Sequence, residues 1–165
     1  ALLGLVLLGL LVVLDLLAVA ANDIPARVFI VGDGPERQNL SANTTLQLVG
    51  HVSDPWLWYC AADVVAVPSR TEGLGLSAIE ALSAGCPVVA TDVGGLTEVI
   101  PNDGLGTCVP AGDVTALASA INHQLTIGRG CATAEEKRRT SVAGKFSIDG
   151  MLIQTDALYG RVLGR

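Results

Sequence analysis

Five short runs, nearly all apolar and rich in β-branched side chains, do most to fix the architecture of this chain: RVFIVG (27–32), LQLVG (46–50), DVVAVP (63–68), CPVVAT (86–91) and TCVP (107–110). Most are too apolar to alternate, the pattern of strands covered on both faces in a parallel sheet. Helical segments separate them: residues 54–62 with Asp54 as N-cap, 76–84 closed by Gly85, 95–100 stopped by Pro101, and a longer helix from its cap at Asp113 to Ile127. Residues 134–145 and 148–163 read as two more helices. Strands alternating with helices predict an α/β fold, a Rossmann-like doubly wound parallel sheet with C-terminal helices, which receives its ligand at the carboxyl ends of the strands.

At 165 residues the chain suits a single domain. Hydrophobic residues make up 50% and aromatics only 4%, so the interior is expected to be Leu, Val, Ile and Ala. A net charge of −6 with no basic run excludes a nucleic-acid partner, whose phosphates need clustered Lys and Arg. Cys60, Cys86, Cys108 and Cys131 show no CxxC pair and read as reduced thiols, small core residues of a cytosolic protein. The opening ALLGLVLLGLLVVL has no charge before Asp15; it is short for a membrane span, and no Lys or Arg precedes it as in a signal peptide. It reads as a buried strand at 5–8 followed by a helix over 10–21, with a membrane helix extending through Ala21 as the alternative. The chain begins with Ala rather than Met, and the expectation is a fragment of a longer protein.

The chemistry concentrates in residues 68–95, PSRTEGLGLSAIEALSAGCPVVATDVGG. A strand ends at Pro68, a loop carries Glu72, Gly73, Leu74 and Gly75, and a helix starts at Leu76 and Ser77. Two glycines beside a helix start let the backbone approach a ligand, while unpaired amides and the helix dipole favour a phosphate. Glu80 lies one turn further along, and its Cα–Cβ bond leans back toward that turn. A carboxylate repels phosphate but accepts hydrogen bonds from a vicinal diol such as ribose. Glu72 faces the other end of such a ligand, where sugar hydroxyls lie.

Glu72-x7-Glu80 within EGLGLSAIEALSAGCPVVATDVGGLTEVI resembles the EX7E signature of the family 4 retaining glycosyltransferases. FIVGDGPER (29–37), LVGHVSD (48–54), AADVVAVPSR (61–70) and FSIDGMLIQTDALYGRVL (146–163) are similar to that family's segments in order and approximate spacing, so the resemblance covers about residues 24–163. It implies the C-terminal, nucleotide-sugar-binding half of a GT-B fold, with residues 1–165 as one domain, 1–21 a degenerate apolar first strand and helix, and 146–165 the C-terminal helix. It also implies roles. Glu72 and Glu80 are the candidate catalytic pair, Glu72 holding the transferred sugar and Glu80 the ribose. The amides around Gly73, Leu74, Gly75, Leu76 and Ser77, with Arg70 nearby, take the diphosphate. His51, Val52 and Ser53 lie along the nucleobase, with Gly32 and Gly34 lining the cleft. The donor is a nucleoside-diphosphate sugar, the acceptor a lipid-linked or soluble glycan, and the site of action the cytoplasm or its membrane face. No Asp-x-Asp motif occurs, so no metal is expected.

Other readings compete at each position. GDGP at Gly32 resembles a dinucleotide fingerprint, but Pro35 and Arg37 stand where GxGxxG needs helix continuation and a third glycine. His51 reads equally as a satisfied loop residue. Trp56, Trp58 and Tyr59 are expected to pack their helix on the sheet, and AEEKRR (134–139) to be a solvated helical face. Arg37 and Arg70 are candidates to approach a phosphate, yet surface arginines are commonplace.

The departures from the family bear on activity. Its members open this domain with a strand ending in Gly-Arg and then Lys-Gly, the two cations gripping the diphosphate. If Gly4 and Gly9 correspond, Leu5 replaces the Arg and Leu8 the Lys. The connection over 36–45 is short, so one family helix is reduced, and the acceptor-binding N-terminal domain is absent from the chain. The expected activity is therefore that of a hexosyltransferase whose donor half alone is inactive. The alternatives are a non-catalytic nucleotide-sugar-binding module paired with a separate acceptor-binding chain, or another GT-B sugar-nucleotide enzyme such as an epimerase.

Overall fold

The computed structural model describes residues 4–8, 26–34, 37–40, 46–100 and 104–164. Its strands are β1 (Gly4–Leu8), β2 (Arg27–Val31), β3 (Leu46–Gly50), β4 (Val64–Val67), β5 (Val88–Thr91) and β6 (Gly106–Val109). They form one sheet in the order β3-β2-β1-β4-β5-β6, and each neighbouring pair is parallel. The described helices are α1 (Arg37–Leu40), α2 (Trp56–Ala61), α3 (Leu76–Ser83), α4 (Leu96–Val99), α5 (Val114–Ile127), α6 (Ala132–Ala143) and α7 (Ile148–Leu163). β1 pairs with both β2 and β4, so the winding reverses there and a crevice opens outside the carboxyl ends of β1 and β4. Every strand expected from the sequence is present, with bounds shifted by a residue or two.

Lack of alternation in the strands follows from burial on both faces. Val64 and Ala66 of β4 join Val28, Ile30 and Val89 under Leu117, Ile121 and Leu125 of α5. Val65 and Val67 join Val31, Val88 and Ala90 on the opposite face, beneath Tyr59, Ala78, Leu82, Leu96 and Val142. A side chain sets the start of α5: Asp113 Oδ1 accepts the Ala116 amide at 2.8 Å, a cap that stabilises the helix by about 1 kcal/mol.

Several expectations need correction. α2 starts two residues later than expected because Pro55 takes the N-cap place with helical φ and ψ, while Asp54 Oδ1 accepts the Trp56 amide at 3.0 Å from one position further back. Trp56 is 44% exposed, whereas Trp58 stacks tilted against Phe29 (centroids 5.4 Å apart) and Tyr59 is buried, so one aromatic of the three turns to solvent. Cys60 and Cys131 are exposed; they fall on outward positions of α2 and at the start of α6, and of the four thiols Cys86 alone is fully buried. AEEKRR is not wholly a solvated face, since Arg138 is 4% exposed and donates to the carbonyls of Leu105, Gly85 and Arg129. Gly4 is not the glycine that ends the first strand: Leu5 pairs with Val28 and Val64 inside β1, and the next residue after the strand is Gly9. In either register, residues 1–26 contain no Arg or Lys. The helix expected over 10–21 lies outside the described residues.

α7 differs from the other long helices in burying none of its residues. Ile148, Met151, Ile153, Tyr159, Val162 and Leu163 are all exposed. Among the described residues no helix is long and apolar enough to cross a membrane.

Candidate functional site

The site-bearing loop leaves β4, whose four residues are all buried, and turns into α3 through residues 68–75. Gly75 is the N-cap of α3 with φ +82°, a left-handed conformation, and a Cβ there would meet Leu96 Cδ2 at 2.5 Å. The first helical amides to find carbonyl partners are those of Ala78 and Ile79, both on Gly75 O, at 3.0 and 3.2 Å. The amides of Leu76 and Ser77 have no backbone partner among the described residues, as the first turn of a helix dictates. Leu74 is 42% and Leu76 66% exposed, so the turn lies open. It presents free N–H groups and the positive end of the helix dipole to the crevice beside β1, a ready place for an anion.

Two carboxylates flank this turn, and a neighbour's hydroxyl holds each. Ser69 Oγ donates to Glu72 Oε2 at 3.0 Å. The Ser69 carbonyl in turn accepts from Thr91 Oγ1 at 2.5 Å, so the last residue of β5, itself buried, anchors the loop carrying Glu72. On the other flank Tyr59 Oη donates to Glu80 Oε2 at 2.7 Å. Burial first, then the hydrogen bond to Glu80 and its charge, push the Tyr59 phenol far above its ordinary range, so it stays a donor throughout physiological pH. The loop after β5 closes the arrangement, with the Gly95 amide donating to Gly73 O at 2.8 Å. Arg70 is exposed in the same loop and forms no ion pair with a described residue.

Gly32, Gly34, His51, Val52 and Ser53 form a second group, at the carboxyl ends of β2 and β3. The Gly32 amide donates to Gly50 O at 2.8 Å, which draws the two loops together. Gly34 accepts the Arg37 amide at 3.1 Å and donates its own N–H to Asp33 Oδ1 at 2.9 Å. His51 and Ser53 are exposed and Val52 is half-buried. This group and the β4–α3 turn share one edge of the sheet. In the sheet β1 lies between β2 and β4; at about 4.8 Å per strand, β3 and β4 are roughly 14 Å apart. A nucleobase, ribose and diphosphate laid along the crest cover such a span.

Sequence reasoning missed Tyr59, Ser69, Thr91, Gly94 and Gly95. Tyr59 packs as expected and also uses its hydroxyl; the signal for that is a phenol placed on the buried face of a helix, where the hydroxyl needs a partner. Thr91 ends an otherwise aliphatic strand, the same kind of signal. A depression of about 410 Å³ on the surface is lined by α7 residues alone, Asp156 to Leu163, and includes no site residue.

A parallel sheet in this order, with a glycine-rich helix start beside its point of reversal, defines a doubly wound α/β domain of Rossmann type. The group 1 glycosyl transferases match residues 8–126, and the chain belongs to that family, with the architecture of the C-terminal half of a GT-B fold. It is 35% identical over 166 residues to the D-inositol 3-phosphate glycosyltransferase of Mycobacteroides abscessus, covering 90% of this chain and 36% of that protein. The Mycobacterium bovis enzyme of the same name is 32% identical over 170 residues, covering 91% and 35%. Sucrose-phosphate synthase from Thermosynechococcus elongatus superposes with a TM-score of 0.80 at 29% identity, over 98% of this chain and 46% of that one. Anabaena HepE, solved in complex with UDP, superposes with a TM-score of 0.81 at 21% identity, over 96% and 49%, a likeness of fold. The chain thus spans about a third of the curated relatives and about half of the solved structures.

Proposed function

We propose that residues 1–165 are the donor-binding domain of a retaining glycosyltransferase, which moves a hexosyl group from a nucleoside-diphosphate sugar to an acceptor hydroxyl. The observation that carries this reading is the open first turn of α3, with the amides of Leu76 and Ser77 unpartnered among the described residues and Glu72 and Glu80 anchored on its two flanks. The diphosphate takes the amides of residues 73–77, with Arg70 supplying charge. Glu72 accepts from hydroxyls of the transferred sugar, Glu80 from the ribose, and the base lies along His51, Val52 and Ser53 beside Gly32 and Gly34.

Transfer with retention passes through an oxocarbenium-like state as negative charge gathers on the departing diphosphate. Fixed amides and a helix dipole stabilise that charge without reorganising, the kind of term on which catalysis of this sort leans most. HepE is seen with UDP and with UDP-glucose, which makes UDP the first nucleotide to test. The name of the mycobacterial relatives offers D-inositol 3-phosphate as a first acceptor. The acceptor belongs to a second domain, against which the exposed apolar residues of α7 pack, and the assembled enzyme works in the cytoplasm, where such donors are made.

Calorimetry with UDP, GDP and ADP tests the donor site. Glu80→Gln is expected to weaken the tightest of them at least about tenfold, the scale of a lost hydrogen bond to a charged group; unchanged affinity sinks the ribose assignment. Glu72→Ala, in the chain joined to an acceptor-binding domain, is expected to cut turnover, and undiminished rates would count against its hold on the sugar.

One observation favours a second reading, a non-catalytic nucleotide-sugar-binding module. Residues 1–26, which include β1 and the segment after it, hold no Arg or Lys where the family resemblance implies cations that grip the diphosphate. The two readings part on whether the joined protein turns over UDP-glucose or only binds it.

A further inference from the structure

Glu80 is an exposed side chain on α3, free in principle to sample several rotamers, yet one of its oxygens is fixed. The residue that fixes it comes from a different helix, 21 positions earlier: Tyr59 of α2, 1% exposed, whose Oη reaches Glu80 Oε2 at 2.7 Å. Tyr59 packs by its ring into the core on the α3 side of the sheet, so the hydroxyl is aimed by its buried body and not by the carboxylate it meets. The α2 backbone that carries it is tethered as well. Arg129 Nη1 donates to the carbonyls of Tyr59 and Ala62 at 3.2 and 2.7 Å.

We propose that Tyr59 is a positioning residue for the nucleotide: by occupying one lone pair of Glu80 Oε2 from the core side, it sets the carboxylate so that Oε1 and the remaining lone pair of Oε2 face the ribose diol. This rests on the reading of Glu80 as the ribose anchor. An ionised carboxylate offers about four acceptor positions, so one spent on Tyr59 leaves enough for two vicinal hydroxyls. The gain is preorganisation: a side chain already held in its binding rotamer loses less freedom when the ligand arrives. Tyr59 also couples the nucleobase end of the site to the ribose, because α2 follows directly on the loop of His51, Val52 and Ser53.

The test is nucleotide binding by the full chain, using the tightest of UDP, GDP and ADP, its 2′-deoxy counterpart, and inorganic pyrophosphate. Tyr59→Phe is expected to weaken the ribonucleotide several-fold, up to roughly tenfold. It should shrink the preference for ribose over deoxyribose, leave pyrophosphate affinity unchanged, and have no further effect when Glu80→Gln is already present. If Glu80→Gln abolishes the ribose preference but Tyr59→Phe leaves it intact, the positioning role is overturned while the ribose anchor stands. If Glu80→Gln leaves that preference untouched, the underlying reading falls and this inference with it. Equal weakening of ribonucleotide and pyrophosphate by Tyr59→Phe means general damage to the fold and also overturns the proposal.

Discussion

Gly94 lies against the backbone carbonyl of Glu72, so close that a Cβ on Gly94 would overlap that oxygen. Its φ of +51° places it in the left-handed region as well. Backbone, and not a flexible side chain, is the obstacle, so the loop carrying Glu72 must move if Gly94 becomes larger. Gly94→Ala is therefore expected to cost about 1–3 kcal/mol and to displace Glu72 from Ser69. Gly73 offers a control, since nothing lies within 4 Å of its would-be Cβ and its φ is not positive. Gly73→Ala should leave the thermal midpoint nearly unchanged, and any loss it causes should appear in nucleotide affinity. Equal midpoints for the two variants would contradict this account of the loop.

Arg129 ties three helix ends together. Its guanidinium donates to the carbonyls of Tyr59 and Ala62 at the end of α2, to Ala84 at the end of α3 at 3.1 Å, and to Glu135 Oε1 on α6 at 3.2 Å. The last carbonyls of a helix lack intrahelical partners, so these bonds meet a need that water meets poorly in a half-buried place. Arg129→Ala should lower unfolding free energy by about 2 kcal/mol, and Arg129→Lys should recover little of it, because a single compact ammonium with three donors cannot span the four acceptors that the planar guanidinium reaches. Urea unfolding measures both. A Lys variant as stable as the parent would show that charge, and not the fork, matters here.

The sheet and its helices were legible because their signals are local. Unbroken runs such as VVAV reflect burial on both faces, and Asp113 and Gly85 mark helix ends by mechanisms confined to a few residues. Glu72 and Glu80 were legible through their spacing. Their partners were not: Tyr59 meets Glu80 only because α2 and α3 share a sheet face, and Thr91 meets Ser69 only because β4 and β5 are neighbours. Arg138 looked like one more charge on a solvated helix, and its burial depends on carbonyls 33 to 53 residues distant in sequence. Long-range partners of polar groups leave no mark in the spacing of a single sequence.

The thiols should differ in reactivity by their surroundings. Cys131, exposed at the start of α6, is held below the usual thiol range by the nearby backbone amides of Ala134 and Thr133 in the first turn of the helix. Cys86 is buried and its thiol is pushed up to about 12. At pH near 8 in native buffer, iodoacetamide should modify Cys131 readily and spare Cys86, which should react only after unfolding. Mass spectrometry of digests reads this directly; early labelling of Cys86 would contradict its burial.

The same burial gives stability an alkaline limit whose sign can be worked out. Cys86 titrates at its ordinary value of 9.0 when unfolded and near 12 when folded, chiefly because burial disfavours the thiolate, with Arg129 and Arg138 offsetting part of that. Below pH 9 both states hold the proton and the group contributes no pH dependence. Between the two values the folded state binds more protons than the unfolded one, so unfolding free energy falls as pH rises, by about 1.4 kcal/mol per unit for one fully shifted group. Cys108, half-buried and raised for the same reason, adds a smaller slope of the same sign. The Tyr59 phenol joins above its ordinary value of 10.0. Urea midpoints taken at pH 8, 9 and 10 should therefore fall over the last interval. Cys86→Ala should flatten most of that fall while leaving the value at pH 8 within about 1 kcal/mol, since the hydrogen bond it removes, from Sγ to Ala62 O at 3.4 Å, is weak. A Cys86→Ala chain with the parent's slope between pH 9 and 10 would mean that the thiol ionises as readily in the fold as outside it.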